Sequence, residues 1–150
     1  MADEADEEPL DSARDWVAEH TRRYVETDGA EGHWWRGYPT LVLTTRGRRS
    51  GRLRRNALIY GKDGDNYVVV ASKGGAPTHP LWYRNLEADP NVRVQVLADK
   101  FPARARTASP EEKGRLWPMM VQVYPPYAEY QEKAKPHRDI PVVILEPQRS

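Results

Sequence analysis

The sequence predicts an α+β fold in which about six short antiparallel strands curl into a small barrel, with one N-terminal helix and two or three further helices. Short runs rich in β-branched residues alternate with turn residues over most of the chain. The loops between several of these runs are short, which favours antiparallel neighbours. Helix-capping signals lie between and outside the runs, so helices are expected to interrupt or follow the strands.

The composition of the 150-residue chain excludes several classes of protein. The length suits one domain with a sizeable core. The chain contains no cysteine, which excludes disulfides, thiolate nucleophiles and zinc-thiolate sites, and redox chemistry would therefore need a bound cofactor. No run approaches the roughly 18 apolar residues of a membrane span. Because the first residues are acidic and lack the pattern of a secretory signal, we expect a cytoplasmic protein.

The first part of the chain is predicted to hold a tail, a helix and a loop. Residues 1–9 are acidic and typical of a disordered tail. From residue 10 to about residue 27, apolar residues recur at helical spacing, with Asp11 or Ser12 available as the N-cap. The segment 28–37 is rich in glycine, which indicates a loop. The expected organisation is a tail at 1–9, an amphipathic helix and loop at 10–37, and a barrel domain at 38–150.

Six runs have the length and composition of strands. They are residues 38–45, 54–60, 67–72, 92–97, 101–107 and 142–145. Residues 61–66 and 98–100 each join two adjacent runs and are predicted to be hairpin loops. Val68, Val69 and Val70 form a continuous apolar run, which predicts a strand that is buried on both faces.

Further helices are predicted from capping residues and prolines. Thr78 is expected to cap a short helix that has Pro80 in its first turn and ends at residues 89–90. The segment 109–112, Ser-Pro-Glu-Glu, is a capping box that opens a second helix. Two prolines at 125–126 then restart a helical segment.

An arginine-rich segment, residues 46–55, follows the first predicted strand and contains six arginines. The net charge of the chain is +1, and removing the five acidic residues of the tail leaves +6 on the remainder. Guanidinium groups bind phosphate and carboxylate through paired N–H donors. The segment is therefore the predicted site for a polyanion, although a solvated hairpin tip has the same composition.

A second candidate anion site is the glycine turn, residues 72–75 (Ser-Lys-Gly-Gly), which follows the valine run. Paired glycines let backbone amides approach a ligand closely, and Lys73 adds a positive charge. The N-terminus of the next helix would add its dipole. Together with the arginine-rich segment, this turn indicates one phosphate held from two sides.

The tyrosine cluster, Tyr124, Tyr127 and Tyr130, has a spacing of three residues. This spacing places the phenols along one stripe of a helix. Such stripes commonly pack into a core, but three neighbouring phenols also suit a pocket wall that stacks on a planar substrate and donates a proton. The four histidines show no metal-ligand spacing, so we predict no metal site.

Taken together, these motifs resemble the deazaflavin-dependent nitroreductase family, which includes F420H2-dependent quinone and nitro reductases. The resemblance rests on four segments in order: 43–54 (LTTRGRRSGRLR), 67–75 (YVVVASKGG), 80–86 (PLWYRNL) and 124–130 (YPPYAEY). It implies a split β-barrel, similar to that of FMN-binding proteins, that binds coenzyme F420. This coenzyme has a deazaflavin ring, a ribityl phosphate and a polyglutamate tail.

The resemblance also implies which residues form the site. Those expected to contact the cofactor are Arg48, Arg49, Ser50, Arg54, Asn56, Ala71, Ser72, Lys73, Gly74, Gly75 and Trp82. Those expected to face the acceptor and supply a proton are Ser72, Tyr124, Tyr127 and Tyr130. Ala57 and Ile59 stand where the family often has a proline and a bulky or aromatic residue, so the pocket near the ring should differ in shape.

The function implied is a two-electron transfer from F420H2 to an electron-poor acceptor such as a quinone, an activated alkene or a nitroaromatic. Three alternatives stay open: a similar barrel that uses FMN, a non-catalytic deazaflavin carrier, and a single-strand nucleic-acid binder. FMN lacks a polyanionic tail that would bind the six arginines, which disfavours the FMN alternative. The strands near the arginines hold few aromatic residues, so we expect no nucleic-acid partner. The oligomeric state stays open, as does whether the first helix caps the barrel or contacts a membrane that holds a quinone.

Overall fold

The computed structural model describes residues 10–11 and 15–149, with side chains from residue 18 onward. The strands are β1 (Leu10–Asp11), β2 (Trp34–Trp35), β3 (Tyr38–Arg46), β4 (Leu53–Ile59), β5 (Gly61–Asp63), β6 (Asn66–Val70), β7 (Asn91–Val96), β8 (Asp99–Thr107) and β9 (Val142–Pro147). The helices are α1 (Asp15–Glu26), α2 (Leu81–Ala88), α3 (Pro110–Val123) and α4 (Pro126–Ala134), and a short 3₁₀ turn spans Lys73–Gly75. Within the described part of the chain, no helix is both long and apolar enough to cross a membrane.

The sheet curls because the chain passes from one of its edges to the other within a single residue. The strand order is β1, β4, β3, β7, β8, β9, β6, β5, with β2 paired to β3 beside this path. The described pairs are antiparallel except β1 with β4, which is parallel. Tyr60 alone separates β4, near one edge, from β5 at the other. The two edges must therefore lie close together, and the predicted α+β split barrel is confirmed.

Two hydrophobic cores lie on opposite faces of β6 and β9. Val69 and Leu145 belong to the core inside the barrel. Val68 and Ile144 belong to a second core, which β6 and β9 form with α3 and α4 around Met120. All five side chains are almost completely buried. The valine run is thus buried on both faces, as its continuous apolar pattern predicts.

The six predicted strands are present as β3, β4, β6, β7, β8 and β9, and their ends are shifted by at most two residues. The predicted loop 61–66 is shorter than expected because β5 pairs with β6 across a two-residue turn at 64–65. The β7–β8 hairpin likewise turns at 97–98 rather than at 98–100. Strands of two or three residues such as β5 carry no periodic signal, so the sequence pattern does not reveal them.

The prediction that the first helix begins near residue 10 is wrong. Leu10 and Asp11 pair with β4 as strand β1, and α1 begins at Asp15. Asp11 therefore does not cap the helix, and the alternative cap, Ser12, lies outside the described residues. Pairing of the backbone with the sheet edge takes precedence here over the helical spacing of the apolar side chains.

Helix α1 packs against the barrel through Tyr24, whose side chain is fully buried. The Tyr24 hydroxyl donates to the Thr40 carbonyl oxygen at 2.9 Å and accepts from the Leu97 amide at 2.8 Å. Burial raises the pKa of Tyr24 to about 12, so the phenol stays protonated and keeps its donor role. These bonds tie α1 to β3 and to the β7–β8 turn.

Helix α2 begins later than predicted. Pro80 is its N-cap and makes no side-chain capping bond. Thr78 therefore does not cap the helix, and its hydroxyl accepts from Lys73 Nζ at 3.2 Å instead. The fixed φ of proline already suits the entry to a helix. The predicted end is confirmed, because α2 stops at Ala88 with Asp89 as its C-cap.

The capping box of α3 is confirmed. The Glu112 amide donates to the Ser109 hydroxyl at 3.2 Å, and the Ser109 amide donates to the Glu112 carboxylate at 2.9 Å. Arg106 of β8 adds two hydrogen bonds to the same carboxylate, at 2.7 and 2.8 Å. The Arg106 guanidinium and the capping bonds lower the pKa of Glu112 to about 2. Helix α4 then starts at Pro126, as predicted, and continues to Ala134.

Candidate active site

A cavity of about 1330 Å³ brings together the arginine-rich segment, the glycine turn, the start of α2 and the tyrosine cluster. Of the predicted site residues, those that line it are Arg48, Arg49, Ser50, Arg54, Asn56, Ser72, Lys73, Gly74, Trp82, Tyr124, Tyr127 and Tyr130. Ala71 and Gly75 are buried and are not among the lining residues. Ala57 and Ile59, the two departures from the family pattern, also line the cavity.

The turn between β3 and β4 is held closed by its own backbone and by Ser50. The Gly47 amide donates to the Arg52 carbonyl oxygen at 2.7 Å, and the Arg52 amide donates to the Ser50 hydroxyl at 3.2 Å. A Cβ at Gly47 would lie 2.6 Å from the Ser50 hydroxyl oxygen and 3.0 Å from the Arg52 carbonyl oxygen, so a larger residue would displace the Ser50 hydroxyl and crowd the turn. Ser50 therefore shapes the turn as well as lining the cavity.

Asn85 of α2 fixes the same turn from the helix side. Its side-chain oxygen accepts from the Arg48 backbone amide at 3.1 Å, and its side-chain nitrogen donates to the Thr45 hydroxyl at 3.2 Å. The Asn85 side chain is buried and lines the cavity. Asn85 lies in the segment 80–86 that carries the family resemblance, but a single asparagine in a helix gives no sequence signal of these contacts.

Three arginines of the arginine-rich segment present positive charge to the cavity. Among the residues whose side chains the structure describes, Arg48, Arg49 and Arg54 form no ion pair. All three line the cavity. Guanidinium groups without a carboxylate partner are available to an anionic ligand.

The glycine turn has the backbone conformation of an anion-binding nest. Ser72 is right-handed, with φ −80° and ψ −41°, and Lys73 and Gly74 follow with φ of 47° and 65°. This succession directs neighbouring amides to the same side. Within the described residues, the Ser72 and Lys73 amides donate no hydrogen bond. Both residues line the cavity, so an anion there can accept from them.

Gly75 serves the packing of the turn rather than the cavity wall. Its amide donates to the Ser72 carbonyl oxygen at 2.9 Å. A Cβ at Gly75 would lie 2.8 Å from the Tyr130 carbonyl oxygen, and the residue has φ of 82°. Glycine is therefore needed for the close approach of the turn to α4, so the glycine turn and the helix of the tyrosine cluster are packed as one unit.

The tyrosine cluster contains one buried ring and two partly exposed rings. The Tyr127 side chain is 4% exposed, and its ring meets Tyr124 edge to face at 4.9 Å between centroids. The hydroxyls of Tyr124 and Tyr130 lie 3.3 Å apart. Burial raises the pKa of Tyr127, and burial together with the hydrogen bond to Tyr130 raises the pKa of Tyr124 to about 12. Tyr124 and Tyr127 are therefore protonated at neutral pH.

The hairpin of β2 and β3 contributes cavity residues from the predicted loop 28–37. That loop prediction is wrong at Trp34 and Trp35, which pair with β3 across a two-residue turn at Arg36 and Gly37. Both turn residues have positive φ, 51° and 86°, as a tight hairpin turn requires. Trp35 and Arg36 line the cavity, and the Arg36 guanidinium lies 4.8 Å from the Trp35 ring centroid.

His20 is a further lining residue that the sequence did not indicate. It comes from α1, and its Nε2 lies 2.7 Å from the Gly32 carbonyl oxygen. Because a carbonyl oxygen only accepts, Nε2 must carry a proton. A histidine on an amphipathic helix has no motif around it, so only the packing of α1 on the barrel reveals its position at the cavity.

Known proteins similar to this chain include F420H2-dependent reductases. A sequence model of a family described as F420H(2)-dependent quinone reductase matches residues 16–147. Over 130 residues, the chain is 38% identical to an F420H(2)-dependent quinone reductase of Mycobacterium tuberculosis, covering 84% of this chain and 86% of that protein. A solved F420-H2 dependent reductase has 44% identity and a TM-score of 0.66, covering 72% of this chain and 94% of that one. A solved domain-swapped dimer has 42% identity and a TM-score of 0.69, covering 90% and 100% respectively.

Proposed function

The chain belongs to the F420H(2)-dependent quinone reductase family, and we propose that its cavity holds F420H2 next to a quinone and promotes reduction of the quinone to a hydroquinone. The membership confirms the family resemblance of the sequence motifs and the cofactor that it implied. The family description names a quinone as acceptor. Activated alkenes and nitroaromatics remain further candidate acceptors.

The groups that line the cavity fit the parts of coenzyme F420. Its phosphate and polyglutamate tail are anionic, and the arginine-rich segment and the glycine turn offer guanidinium, ammonium and amide donors. Its ring is planar, and Leu58, Ile59 and Trp82 offer apolar surface. We assign the phosphate to the glycine turn and the tail to the arginine-rich segment.

The chemistry divides between the cofactor and the chain. Bound F420H2 supplies a hydride to an electron-poor acceptor. The chain holds the two partners in one cavity, which removes most of the entropic cost of bringing them together. A reduced quinone oxygen carries negative charge, and a phenol can stabilise that charge by donating a hydrogen bond. Tyr124 suits this role because it lines the cavity and its hydroxyl, whose pKa is raised to about 12, is protonated at neutral pH. Tyr127, Tyr130 and the Ser72 hydroxyl are the other candidate donors.

The observation that carries the proposal is that cationic groups on two turns and the phenols of the tyrosine cluster, at the end of α3 and in α4, line the same cavity. A carrier protein would need the anion site but not the phenols. A single-strand nucleic-acid binder would need aromatic residues among the arginines. The aromatic residues that line the cavity come instead from other segments: Trp35, Trp82, Tyr124, Tyr127 and Tyr130.

Titration of the purified protein with F420 and, separately, with FMN tests the cofactor assignment. We expect F420 to bind in the micromolar range or tighter and FMN to bind much more weakly, because FMN lacks the polyglutamate tail. The affinity for F420 should fall as salt is added, since surface charges are screened. Equal or tighter binding of FMN would contradict the assignment, and an affinity independent of salt would show that the arginine-rich segment does not hold the tail.

Paired variants separate the binding role of the cations from nonspecific charge effects. Arg54→Ala and Lys73→Ala should each weaken F420 binding by about 1.5–3 kcal/mol, the worth of a charge-assisted contact. Arg104→Ala and Lys135→Ala are matched controls, because both side chains are exposed and neither lines the cavity. A variant that binds F420 normally but unfolds at a lower temperature would show that its residue is structural.

Phenylalanine variants of the tyrosine cluster test the acceptor chemistry. Each keeps the ring and removes one hydroxyl, so F420 binding should be retained. At least one of Tyr124→Phe, Tyr127→Phe and Tyr130→Phe should slow the reduction of menadione ten- to a thousand-fold, or about 1.4–4 kcal/mol of transition-state stabilisation. Tyr38→Phe is a control, because its ring also contacts Tyr124 but does not line the cavity. Full activity in all three variants would assign the cluster to packing.

A further inference from the structure

Arg138, between α4 and β9, lies behind the glycine turn and binds its backbone. Its Nη1 donates to the Ala71 carbonyl oxygen at 3.0 Å, its Nη2 to the Ser72 carbonyl oxygen at 2.8 Å and its Nε to the Ala76 carbonyl oxygen at 2.9 Å. Nη1 also lies 3.0 Å from Nδ1 of His79. Arg138 is not among the residues that line the cavity.

The guanidinium group of Arg138 makes its described hydrogen bonds to uncharged groups. Among the described side chains it forms no ion pair, and its hydrogen bonds go to three carbonyl oxygens and one imidazole. A partly buried guanidinium without a carboxylate partner is costly unless its donors are satisfied. Here one guanidinium satisfies backbone acceptors from both ends of residues 71–76, so it fixes the course of the whole turn.

Peptide geometry connects these contacts to the cavity. In a trans peptide the C=O of one residue points opposite to the N–H of the next. Because the Ala71 and Ser72 carbonyls point toward Arg138, the Ser72 and Lys73 amides must point away from it. Those two amides belong to the nest at the cavity and donate no hydrogen bond within the described residues. A cation on the carbonyl side also polarises each peptide group and strengthens its amide as a donor.

We propose that Arg138 is a positioning residue for anion binding, which orients the Ser72 and Lys73 amides so that the nest accepts the phosphate of the cofactor. The proposal rests on the proposed function for the identity of the ligand. It assigns Arg138 no contact with the ligand. The effect of Arg138 should therefore appear in the affinity for the phosphate and not in the affinity for the ring.

The test compares two ligands in one conservative variant. Arg138→Lys keeps the charge but cannot reach three carbonyls with the geometry of a guanidinium. We expect its dissociation constant for F420 to rise by about tenfold or more, corresponding to at least one lost charge-assisted contact. The dissociation constant of the corresponding deazaflavin without phosphate and tail should change by less than about twofold, since the substitution leaves the contacts of the ring unchanged. Arg115→Lys is the matched control, because Arg115 is paired with Asp63 outside the cavity.

The possible outcomes separate this proposal from the proposed function. Wild-type protein that fails to bind F420 would contradict the proposed function. Wild-type protein that binds F420, together with an Arg138→Lys variant that weakens both ligands equally, would overturn the positioning role and leave only a structural one. Restoration of F420 binding to Arg138→Ala by added guanidinium ions would support the role, and unchanged F420 binding in Arg138→Lys would overturn it.

A measurement on the wild-type protein keeps the proposal testable if the variants do not fold. Inorganic phosphate is titrated while the backbone amide resonances are followed by NMR. The Ser72 and Lys73 amides should show the largest shifts, because the proposed nest presents their hydrogens to the anion. Shifts confined to the arginine-rich segment, with none at Ser72 and Lys73, would contradict the proposal whether or not F420 is the ligand.

Discussion

Replacement of Gly75 by alanine tests whether the glycine turn and the helix of the tyrosine cluster are packed as one unit. The added Cβ would lie 2.8 Å from the carbonyl oxygen of Tyr130 and 3.0 Å from its Cα, and neither backbone atom can rotate away. Overpacking of this kind costs about 1–3 kcal/mol. The φ of 82° adds a cost of about 1–2 kcal/mol for an L-residue. We therefore expect Gly75→Ala to lower the free energy of unfolding by about 2–5 kcal/mol.

Gly64 provides a control that isolates the contact with α4. It also has positive φ, 61°, but a Cβ there would have no atom within 4 Å, and Gly64 does not line the cavity. Gly64→Ala should therefore cost only the backbone term, about 1–2 kcal/mol. The difference between the two variants, about 1–3 kcal/mol, measures the crowding against Tyr130.

Thermal and urea unfolding measure the difference in stability between the two variants. The rate of quinone reduction shows whether the Gly75 substitution also disturbs the candidate active site. For a chain of this length, about 1 kcal/mol corresponds to roughly 2–4 °C in Tm. Gly75→Ala should also reduce the rate of quinone reduction, because relief of the contact moves Tyr130, whereas Gly64→Ala should leave the rate unchanged. Equal destabilisation by the two substitutions would refute the packing argument. Destabilisation by Gly75→Ala with an unchanged rate would refute the link between this packing and the phenols.

Three further substitutions test the energetics of individual groups. The pKa of Glu112 is lowered to about 2 by Arg106 and the capping bonds, so the stability that this carboxylate contributes is present above its ordinary pKa and is lost as the pH falls toward 2. Glu112→Gln should therefore remove this part of the acid destabilisation, which urea unfolding at pH 7 and at about pH 3 would measure. Burial and the Arg138 charge lower the pKa of His79, so the folded state should become progressively less stable as the pH falls below the ordinary pKa of histidine. His79→Asn retains an acceptor for Arg138 and should reduce the loss of stability between about pH 7 and 5. An unchanged loss would contradict the prediction. Thr21 is fully buried, and its hydroxyl has no partner among the described residues, so Thr21→Val should raise the free energy of unfolding by about 1–2 kcal/mol in thermal unfolding, whereas a decrease would indicate that the hydroxyl is satisfied.

The elements that the sequence predicts correctly are those in which side-chain pattern and backbone structure agree. The continuous valines of β6 and the capping box at Ser109 each leave a pattern that no other structure explains as well. Strands β1 and β2 are only two residues long, which is too short for a periodic signal, and β1 forms by pairing with β4, which is distant in the chain. At the start of α2, Thr78 and Pro80 are both plausible signals, and the hydrogen bond from Lys73 to Thr78 belongs to the tertiary structure.

The candidate site shows the same division. Arginine, lysine and tyrosine side chains are recognisable in a sequence because their chemistry indicates a ligand, and all the predicted ones line the cavity. The predicted site residues that do not line it are the buried Ala71 and Gly75. Asn85 and Arg138 act on backbone amides and carbonyls instead. A backbone group has no residue type that would identify it, so the partners of such groups can be found only from the fold.

The position of the cavity follows from the split in the barrel. Residues 56–59 of β4 pair with β3 on one side. On the other side, β4 pairs with β1 at Arg54 and Arg55, and the described residues include no strand partner for 56–59 there. All four residues of that segment line the cavity. An unpaired strand edge exposes backbone donors and acceptors and is a liability in solution unless something covers it. A planar heterocycle with hydrogen-bonding groups on its rim would satisfy such an edge, whereas a closed barrel would pair the strand and leave no space. Under the proposed function we therefore expect the ring of F420 to lie along this edge, where the split in the sheet leaves space for it.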